Sequence, residues 1–481
     1  MRYIKIKDVR PGMHLAYNMY DADGHTLICS GCVLSEGYIK RINEYGFDGV
    51  YIQDELSDDI KIEPVITPEL RTEGLITVRN CDVDGCKGIA SKIVDQVLHK
   101  GVLSLDLTDL RSFDGYTYAH SVNVAVLSCI IGFGLKMNET SLEQLVMAGL
   151  LHDLGKLMIP PEILNKPSRL TNEEYEIMKK HSAISYEIIK ERWDIPAQVK
   201  VAVLHHHENE DGSGYPDGLE GEDMTIFTKI LHVADVYDAL VSKRSYKSPY
   251  SPYEACEFLM GGGGIMFDPK VVEALLMYVP FYPKGTQVRL SDGREGIILE
   301  NSGTRNLRPL LRLLDGTTLD LQKKENYNLT ILHSANEDVT DPSAAEEERQ
   351  KMLMPFKKYR IMILDDMLIN LQALRGFLEK KYELNLLTSV GQALLQLKRG
   401  PEPDLIMIDM DMPEMNGIEA AGRIRDITGN IPILFVIDNY DRSVISRCRK
   451  AKAAGYIVRP YKPAYVKAEI NRILTGEEIV E

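Results

Sequence analysis

Histidines and aspartates concentrate in one part of the chain. Seven of the eleven histidines lie between residues 120 and 232, and two aspartates of the same window stand in apolar, helix-like sequence. The histidines are His120, His152, His181, His205, His206, His207 and His232, and the aspartates are Asp153 and Asp235. Imidazole and carboxylate groups without thiolates suit iron, manganese or zinc in a catalytic site better than a structural zinc. The pattern therefore predicts a catalytic metal centre.

The stretch "LLHDLGKLMIP", residues 150–160, favours a ligand role over a purely structural one. A carboxylate beside an imidazole inside an apolar run is costly unless something pairs with it. A single buried histidine is usually a hydrogen-bonded core residue, but a His-Asp pair, an adjacent histidine pair and a later aspartate are harder to explain separately. Lys156 lies one helical turn from His152, where its ammonium could reach a phosphate held at the same centre.

Helices must bring these residues together, and residues 85–280 carry the helical pattern. Thr171 and Glu174 form a capping box at the start of one predicted helix, and Pro196 marks the start of another. Four or five helices that each offer one or two polar side chains inward are how a helical bundle builds a metal centre. We therefore expect an all-α bundle in the centre of a multidomain chain.

Strand patterns flank the helical region. Residues 1–65 predict a small β-rich domain with one helix, and residues 281–335 contain hairpin patterns that predict a small β module. Residues 336–356 are polar and charged, which indicates a linker or an exposed helix. Residues 357–477 alternate strands and helices, which is typical of an α/β doubly wound, flavodoxin-like sheet with function at the carboxyl ends of its strands.

Composition limits the classes of function. The 481 residues suffice for about three domains, and 44% hydrophobic with 26% charged residues is typical of globular proteins. A net charge of −15 argues against a general nucleic-acid binder, because phosphate contacts need Lys and Arg. The seven cysteines lack a framework spacing, so reduced thiols are favoured over a four-thiolate zinc site. Without a signal-peptide core or a run that could span a membrane, we expect a cytoplasmic protein.

Several motifs carry a resemblance to a known family. "LLHDLGK", "MKKH", "HHENEDGSGYPDGL" and "VADVYDALVSKRSYK", with "YTYAHSVNVA" upstream, resemble the HD-GYP family of the HD phosphohydrolase superfamily. The resemblance covers roughly residues 85–280. It implies an all-helical bundle that binds two or three metal ions and hydrolyses the bacterial messenger cyclic di-GMP.

The resemblance also implies a set of metal ligands in this chain. They are His120, His152, Asp153, His181, His206, His207 and Asp235. Asp238 competes with Asp235 for the last position, and the motif favours Asp235. His205 and His232 are then structural. Tyr116 stands where some members carry a glutamate that resembles a third-metal ligand, so we expect two divalent ions, iron or manganese.

The same resemblance implies how a substrate is held and cleaved. Asp153 would bridge the two cations, and a water shared between them would attack phosphorus in line. Lys156 would contact the phosphate, and Arg244 with Lys247 resemble further phosphate contacts. The loop Gly214-Tyr215-Pro216 would border the substrate site and serve as a docking surface for partner proteins. The product would be linear pGpG or GMP.

The last region resembles a response-regulator receiver domain through "ILDDMLIN" and "IDMDMPEMNG". The resemblance makes Asp409 the phosphoacceptor, and Asp365, Asp366 and Asp409 an acidic pocket for Mg²⁺. Ile437 and Arg459 replace the hydroxyl residue and the lysine of that family. Phosphorylation-driven switching and a receiver kept for dimerisation or docking therefore both stay open.

Together these features predict a cytoplasmic signalling protein that hydrolyses cyclic di-GMP and carries a partly atypical receiver. A histidine kinase and diguanylate-cyclase-type signalling proteins are the expected partners, and a homodimer is left open. Two rival hypotheses remain. One is an HD phosphohydrolase of another nucleotide, and the other is a non-catalytic sensor or scaffold for cyclic di-GMP.

Overall fold

The computed structural model describes most of residues 1–475 and divides into two compact units, Met1–Pro355 and Phe356–Glu481. The stretches outside the described residues are 22–24, 46, 48, 100–115, 167, 169, 243–249, 302–306, 335–358, 380, 399, 414, 429–430, 439–441 and 476–481. The predicted linker 336–356 lies within these stretches. None of the described helices is long and apolar enough to cross a membrane.

The first unit has a helical bundle at its centre. Its described helices are α1 (Glu36–Glu44), α2 (Pro68–Arg79), α3 (Val83–His99), α4 (Tyr116–Gly134), α5 (Glu139–Leu151), α6 (Pro161–Leu164), α7 (Asn172–Ile189), α8 (Ala197–His205), α9 (Ile226–Val241), α10 (Pro252–Gly261) and α11 (Pro269–Leu276). Short 3₁₀ helices cover Ile6–Asp8, Leu154–Met158 and Lys324–Asn326. The predicted capping box is present, since Thr171 and Glu174 bond each other's backbone at the start of α7.

Helix α4 is the centre of the bundle. Residues 119–132 are all buried, as expected for a helix that is apolar on every side. It packs against α2, α5, α9 and α11. The helical region begins with α2 at Pro68, ahead of the predicted boundary at residue 85. The bundle thus surrounds one helix, which carries His120, while α5 and α9 pack directly on it and α7 and α8 pack on the helices around it.

Antiparallel strands of the first unit form separate small sheets. The strands before the bundle are β1 (Arg2–Lys5), β2 (His14–Leu15), β3 (Met19–Tyr20), β4 (Thr26–Ile28) and β5 (Gly49–Gln53). Those after it are β6 (Gln287–Leu290), β7 (Glu295–Glu300), β8 (Leu310–Leu313), β9 (Thr318–Asp320) and β10 (Ile331–Ser334). The orders are β1-β5-β2, β3-β4 and β10-β6-β7-β8-β9.

The sheets that flank the bundle in sequence pack against each other in space. Ile297 of β7 shares a hydrophobic core with Tyr51 and Ile60. The amide of Tyr3 donates to the carbonyl of Gly285 at 3.1 Å. Both guanidinium Nη atoms of Arg312 lie 2.6 Å from the carboxylate oxygens of Asp59. We call the packed region formed by residues 1–66 and 281–334 the β body.

The second unit is a parallel α/β sandwich. Its strands are β11 (Arg360–Leu364), β12 (Glu383–Leu387), β13 (Leu405–Asp409), β14 (Ile433–Ile437) and β15 (Gly455–Val458), in the order β12-β11-β13-β14-β15. Its described helices are α12 (Leu368–Leu378), α13 (Val390–Leu397), α14 (Gly417–Thr428), α15 (Arg442–Lys450) and α16 (Pro463–Thr475). Hydrophobic cores lie on both faces of the sheet. The predicted fold class, with its helical bundle, small sheets and doubly wound unit, is confirmed.

Candidate metal centre

The seven predicted ligands come from α4, α5, α7, α8 and α9 and their ends, and the fold brings their side chains together. His120 Nε2 lies 2.9 Å from Asp235 Oδ1, and His181 Nε2 lies 3.0 Å from His207 Nε2. The set contains two subgroups whose ligand atoms lie within 4.8 Å of one another. These are His120, His152 and Asp153, and His181, His206 and His207.

Asp153 belongs to the first subgroup and also faces the second. Its Oδ2 is 3.5 Å from His120 Nε2 and 3.4 Å from His152 Nε2, whereas its Oδ1 is 3.4 Å from His181 Nε2. One carboxylate oxygen therefore faces each subgroup. This arrangement suits a carboxylate that holds two cations at once.

Backbone contacts fix the orientation of three imidazoles. The Nδ1 atoms of His152, His181 and His206 lie 2.7–2.8 Å from the carbonyl oxygens of Gly149, Met178 and Val203, in each case three residues earlier. A carbonyl only accepts, so each Nδ1 donates and each Nε2 keeps its lone pair. The helices thus set the tautomer that presents Nε2 to the centre.

The donor set fits bound cations. His152 Nε2 and Asp153 Oδ1 are buried and have no hydrogen-bond partner among the described residues, which is costly unless something else satisfies them. The imidazole nitrogens of His181 and His207 also face each other across 3.0 Å. Nitrogen and carboxylate donors of this kind match iron, manganese or zinc.

Electrostatics keep His181, His206 and Asp153 in the forms that bind a metal. Burial lowers the pKa of His181 to about 4 and holds the pKa of His206 well below its usual range, so both imidazoles are neutral. Burial alone would raise the pKa of Asp153, but the neighbouring His152 and Lys156 outweigh it and hold that pKa well below the usual range. Neutral imidazoles and ionised carboxylates are the ligand forms.

Gly155 allows the two subgroups to approach. A Cβ at this position would lie 2.1 Å from the carbonyl oxygen of His181 and 2.8 Å from the amide of Ser185. The 3₁₀ helix that follows Asp153 therefore packs directly on the backbone of α7. A side chain here would push His181 away from Asp153.

Lys156 lies beside the centre, where its Nζ donates to Asp153 Oδ2. Its side chain is 18% exposed, so the ammonium stands at the boundary between the buried ligands and solvent. The predicted phosphate contacts Arg244 and Lys247 lie outside the described residues, and the side chain of Tyr116 is also outside them.

The loop Gly214-Tyr215-Pro216 is attached to the ligand pair His206-His207. The Tyr215 amide donates to the His207 carbonyl at 3.1 Å, and the Tyr215 ring stacks on the His207 ring with centroids 4.7 Å apart. A Cβ on Gly214 would lie 2.4 Å from the same carbonyl. Tyr215 therefore covers one edge of the centre, and Pro216 follows it through a cis peptide bond.

Glu208 anchors this loop, a role that the sequence analysis missed. Its carboxylate is fully buried and accepts hydrogen bonds from the amides of Asp217, Gly218 and Leu219 at 2.8, 3.0 and 3.1 Å. The signal available in the sequence was its position directly after the histidine pair. A buried carboxylate that collects three amides is a strong local constraint.

Asp238 and His232 contact proposed ligands from outside the centre, whereas His205 contacts the loop that follows. Asp238 Oδ2 accepts from His120 Nδ1 at 2.7 Å. His232 Nδ1 donates to the His206 carbonyl at 2.9 Å, and His205 Nε2 lies 2.9 Å from Asp217 Oδ2. The contacts of His205 and His232 agree with the structural roles expected for them, and Asp238 contacts a ligand rather than lying among the ligand atoms.

The second unit holds the predicted acidic pocket at the carboxyl ends of its strands. Asp365, Asp366 and Asp409 each offer a carboxylate oxygen within 4.8 Å of the others. Arg459 reaches into this pocket, with Nη2 2.5 Å from Asp409 Oδ1 and Nη1 3.1 Å from Asp438 Oδ1. The guanidinium thus neutralises part of the charge that would attract Mg²⁺.

Comparison with known families gives two matches. The HD domain family matches residues 109–271, and the response regulator receiver domain family matches residues 361–471. The first range contains all seven predicted ligands, and the second contains the acidic pocket.

Curated relatives match part of the chain. A protein of Pseudomonas aeruginosa named cyclic di-GMP phosphodiesterase PA4108 is 37% identical over 229 residues, which are 47% of this chain and 55% of that protein. The cyclic di-GMP phosphodiesterase response regulator RpfG of Xanthomonas campestris is 40% identical over 34% of this chain and 43% of its own length. A 3'3'-cGAMP-specific phosphodiesterase of Vibrio cholerae is 41% identical over 33% of this chain and 31% of its own length.

The matched segments span about half the length of these relatives or less. The fold around the histidine cluster and the parallel sheet of the second unit agree with the two family matches. The chain therefore combines an HD domain with a carboxy-terminal response-regulator receiver domain.

Proposed function

We propose that this chain is a metal-dependent phosphodiesterase that hydrolyses cyclic di-GMP to linear pGpG, GMP or both. The observation that carries the proposal is the buried cluster of five imidazoles and two carboxylates, with Asp153 facing both subgroups. The names of the relatives from Pseudomonas and Xanthomonas support the choice of substrate.

Two divalent ions, iron or manganese, are the proposed cofactors. His120, His152 and Asp235 would hold one ion, His181, His206 and His207 the other, and Asp153 would contact both. Cations held there supply Lewis acidity toward a phosphodiester and lower the pKa of water.

The protein's own groups would orient the substrate. Lys156, within hydrogen-bond distance of Asp153, would offset the charge of the scissile phosphate. Tyr215 lies against the outermost ligand, His207, and would offer a flat aromatic surface to a guanine base. Arg244 and Lys247 are proposed as further phosphate contacts on the basis of their sequence alone.

A second substrate has specific support. The Vibrio relative is named for 3'3'-cGAMP, which shares the cyclic phosphodiester ring but carries one adenine. Because the metals and Lys156 would act on the phosphate, discrimination between the two would depend on contacts with the bases.

A substrate panel tests the proposal. The purified chain, loaded with Fe²⁺ or Mn²⁺, is incubated with cyclic di-GMP, 3'3'-cGAMP and mononucleotide phosphoesters, and the products are separated by chromatography. We expect cleavage of cyclic di-GMP at the highest rate and none after removal of metal. Cyclic di-GMP that binds without cleavage would instead support the sensor hypothesis, and faster cleavage of a mononucleotide would support the other phosphohydrolase.

The receiver domain would connect this activity to a phosphorelay. A histidine kinase is the proposed donor of a phosphoryl group to Asp409, and the Gly214-Tyr215-Pro216 loop is the proposed contact for diguanylate-cyclase-type proteins. Because the proposed substrate is a bacterial messenger, we infer a cytoplasmic site of action. A homodimer formed through the receiver is the proposed assembly.

A further inference from the structure

A row of buried polar side chains connects helix α2 to the candidate metal centre. Arg71 Nη1 donates to Asn123 Oδ1 at 2.6 Å, and Asn123 Nδ2 donates to Asp238 Oδ1 at 2.9 Å. The other oxygen of Asp238 accepts from His120 Nδ1 at 2.7 Å. Arg71, Asn123 and Asp238 are 1%, 2% and 1% exposed, so bulk water cannot substitute for these contacts.

Charge explains why an arginine stands at the far end of the row. The buried Asp238 carboxylate needs compensation, and its neighbours His120, Asn123 and Ser242 are neutral donors when His120 binds a metal. Arg71 carries a permanent positive charge one amide group away. The oxygen of Asn123 accepts from the guanidinium while its nitrogen donates to the carboxylate. The positive charge of Arg71 therefore polarises the Asn123 amide and strengthens its hydrogen bond to Asp238.

His120 depends on this row more than the other ligands do. His152, His181 and His206 donate Nδ1 to carbonyls of their own helices. His120 lies in the interior of α4 and donates instead to a carboxylate of α9. A carboxylate in this position fixes the Nδ1–H tautomer and makes the metal-binding Nε2 more basic.

Arg71 precedes the residues that match the HD domain family. Helix α2 begins at Pro68, directly after the first part of the β body, and the matched domain begins at residue 109. Its side chain is nevertheless among the largest that are fully buried. A structural core position would be filled at lower cost by an apolar residue.

We propose that Arg71 is a positioning residue of the metal centre, which acts through Asn123 and Asp238 to hold His120 in its metal-binding orientation. The proposal rests on the metal site of the proposed function. It extends that site to a residue of α2. Metal affinity would then depend on α2, the helix that joins the β body to the bundle.

Metal affinity of the full chain tests the proposal without reference to turnover. Mn²⁺ binding is measured by competition with a chromophoric chelator for the unsubstituted chain and for Arg71→Met, which keeps the length of the side chain and removes its charge. Because loss of an outer partner of a ligand typically costs about 10–100-fold in metal affinity, we expect a loss of that order for the ion that His120 would hold. Arg79→Met, an exposed position of the same helix, is the matched control and should not change the affinity.

A double-mutant cycle separates this role from general support of the fold. If Arg71 acts through Asp238, Arg71→Met should have little effect in an Asp238→Asn background, because the charge it compensates is gone. Additive losses would overturn the proposal, as would an unchanged affinity in Arg71→Met. Should Arg71→Met not fold, the comparison uses Arg71→Lys and Arg71→Gln. Arg71→Lys keeps the charge and should retain metal affinity within a few-fold, whereas Arg71→Gln removes the charge and should lose it. Equal affinities in the two variants would overturn the proposal.

The outcomes also separate this proposal from the proposed function. An unsubstituted chain that binds no Mn²⁺ or Fe²⁺ would contradict both. A chain that binds metal and cleaves cyclic di-GMP while Arg71→Met retains full affinity would contradict only the role of Arg71.

Discussion

At the scale of residues, the candidate centre is organised before any ligand arrives. Three imidazoles are held through Nδ1 by carbonyls three positions earlier in the chain, so their directions follow from the helices that carry them. The sequence could predict which residue types cluster, because their spacing repeats the motif of a family. It could not predict which oxygen of Asp153 faces which histidines, since that depends on how the 3₁₀ helix after Asp153 packs on α7.

Removal of the Asp153 carboxylate tests the bridging role. In Asp153→Ala both subgroups lose their shared oxygen donor, so we expect no measurable turnover. We also expect metal affinity to fall by more than about 100-fold, because loss of a direct ligand should cost more than loss of a residue that only contacts a ligand. Metal content after gel filtration and hydrolysis of cyclic di-GMP are the measurements. Asp223→Ala, at an exposed carboxylate of the same domain, is the control, and retained metal in Asp153→Ala would contradict the role.

Glu208 provides a second test at this scale. Glu208→Gln replaces one of the two carboxylate oxygens with an NH2 group. This NH2 group would face backbone N–H groups inside the protein, so donors would lie opposite a donor with no acceptor between them. We expect a loss of about 1–3 kcal/mol in the free energy of unfolding, measured in urea, and a higher KM because the Tyr215 loop loosens. Glu222→Gln, which is exposed, should change neither quantity, and an unaltered stability of Glu208→Gln would argue against the anchor.

At the scale of elements, periodicity and capping signals carried most of the prediction. The capping box at Thr171 and the strand pattern ending at Asp409 both correspond to observed elements. Helix α2 does start with a capping signal, since Thr67 caps the helix and Pro68 lies in its first turn, but the sequence prediction left this signal unused. The burial of Arg71 had no local signal, because Arg71 looks like a surface charge in the sequence and is buried where α2 packs against α3 and α4. The ligand assignments themselves stay predictions until metal is measured.

The receiver pocket gives a prediction at this scale, because it is formed where β11, β13 and β15 end. Arg459 lies against Asp409 and Asp438, so Mg²⁺ must displace a guanidinium that pairs with two carboxylates. In Arg459→Lys a single point charge remains, and we expect the Mg²⁺ concentration for half-maximal labelling of Asp409 by acetyl phosphate to fall by roughly tenfold, about 1.4 kcal/mol.

Intact-mass measurement of the labelled chain gives this concentration. Asp409→Asn should remain unlabelled at every Mg²⁺ concentration, and Arg449→Lys, at an exposed position, should behave like the unsubstituted chain. Equal Mg²⁺ requirements for Arg459→Lys and the unsubstituted chain would show that the guanidinium does not compete with the cation.

At the scale of the whole molecule, the first unit contains a contact that local patterns could not indicate. Ile297 packs with Tyr51 and Ile60 although most of the helical bundle separates them in the chain. The sequence predicted two small β regions, and the structure has two small sheets in the first and one in the second. Their shared core was not predictable, because alternating burial marks an inward face without saying what covers it.

Substitution of Ile297 tests this shared core. Ile297→Ala removes a fully buried side chain, so we expect a loss of about 2–5 kcal/mol in stability. Limited proteolysis should then cut residues 1–66 and 281–334 with the same time course, because both lose the same core. Leu332→Ala, 57% exposed in the same sheet, is the control, and cleavage confined to one of the two segments would contradict a common β body.

The β body also changes how the chain's connectivity is understood. A Cβ on Gly285, after α11, would lie 3.5 Å from Cδ1 of Ile62, shortly before α2, so the peptide segments that lead into the helical bundle and out of it start from neighbouring points. In topological terms the bundle is an insertion into the β body, and the β body holds both ends of the bundle. A force or ligand that separates the two segments of the β body would act on α2, which carries Arg71, and on the segment after α11 at the same time.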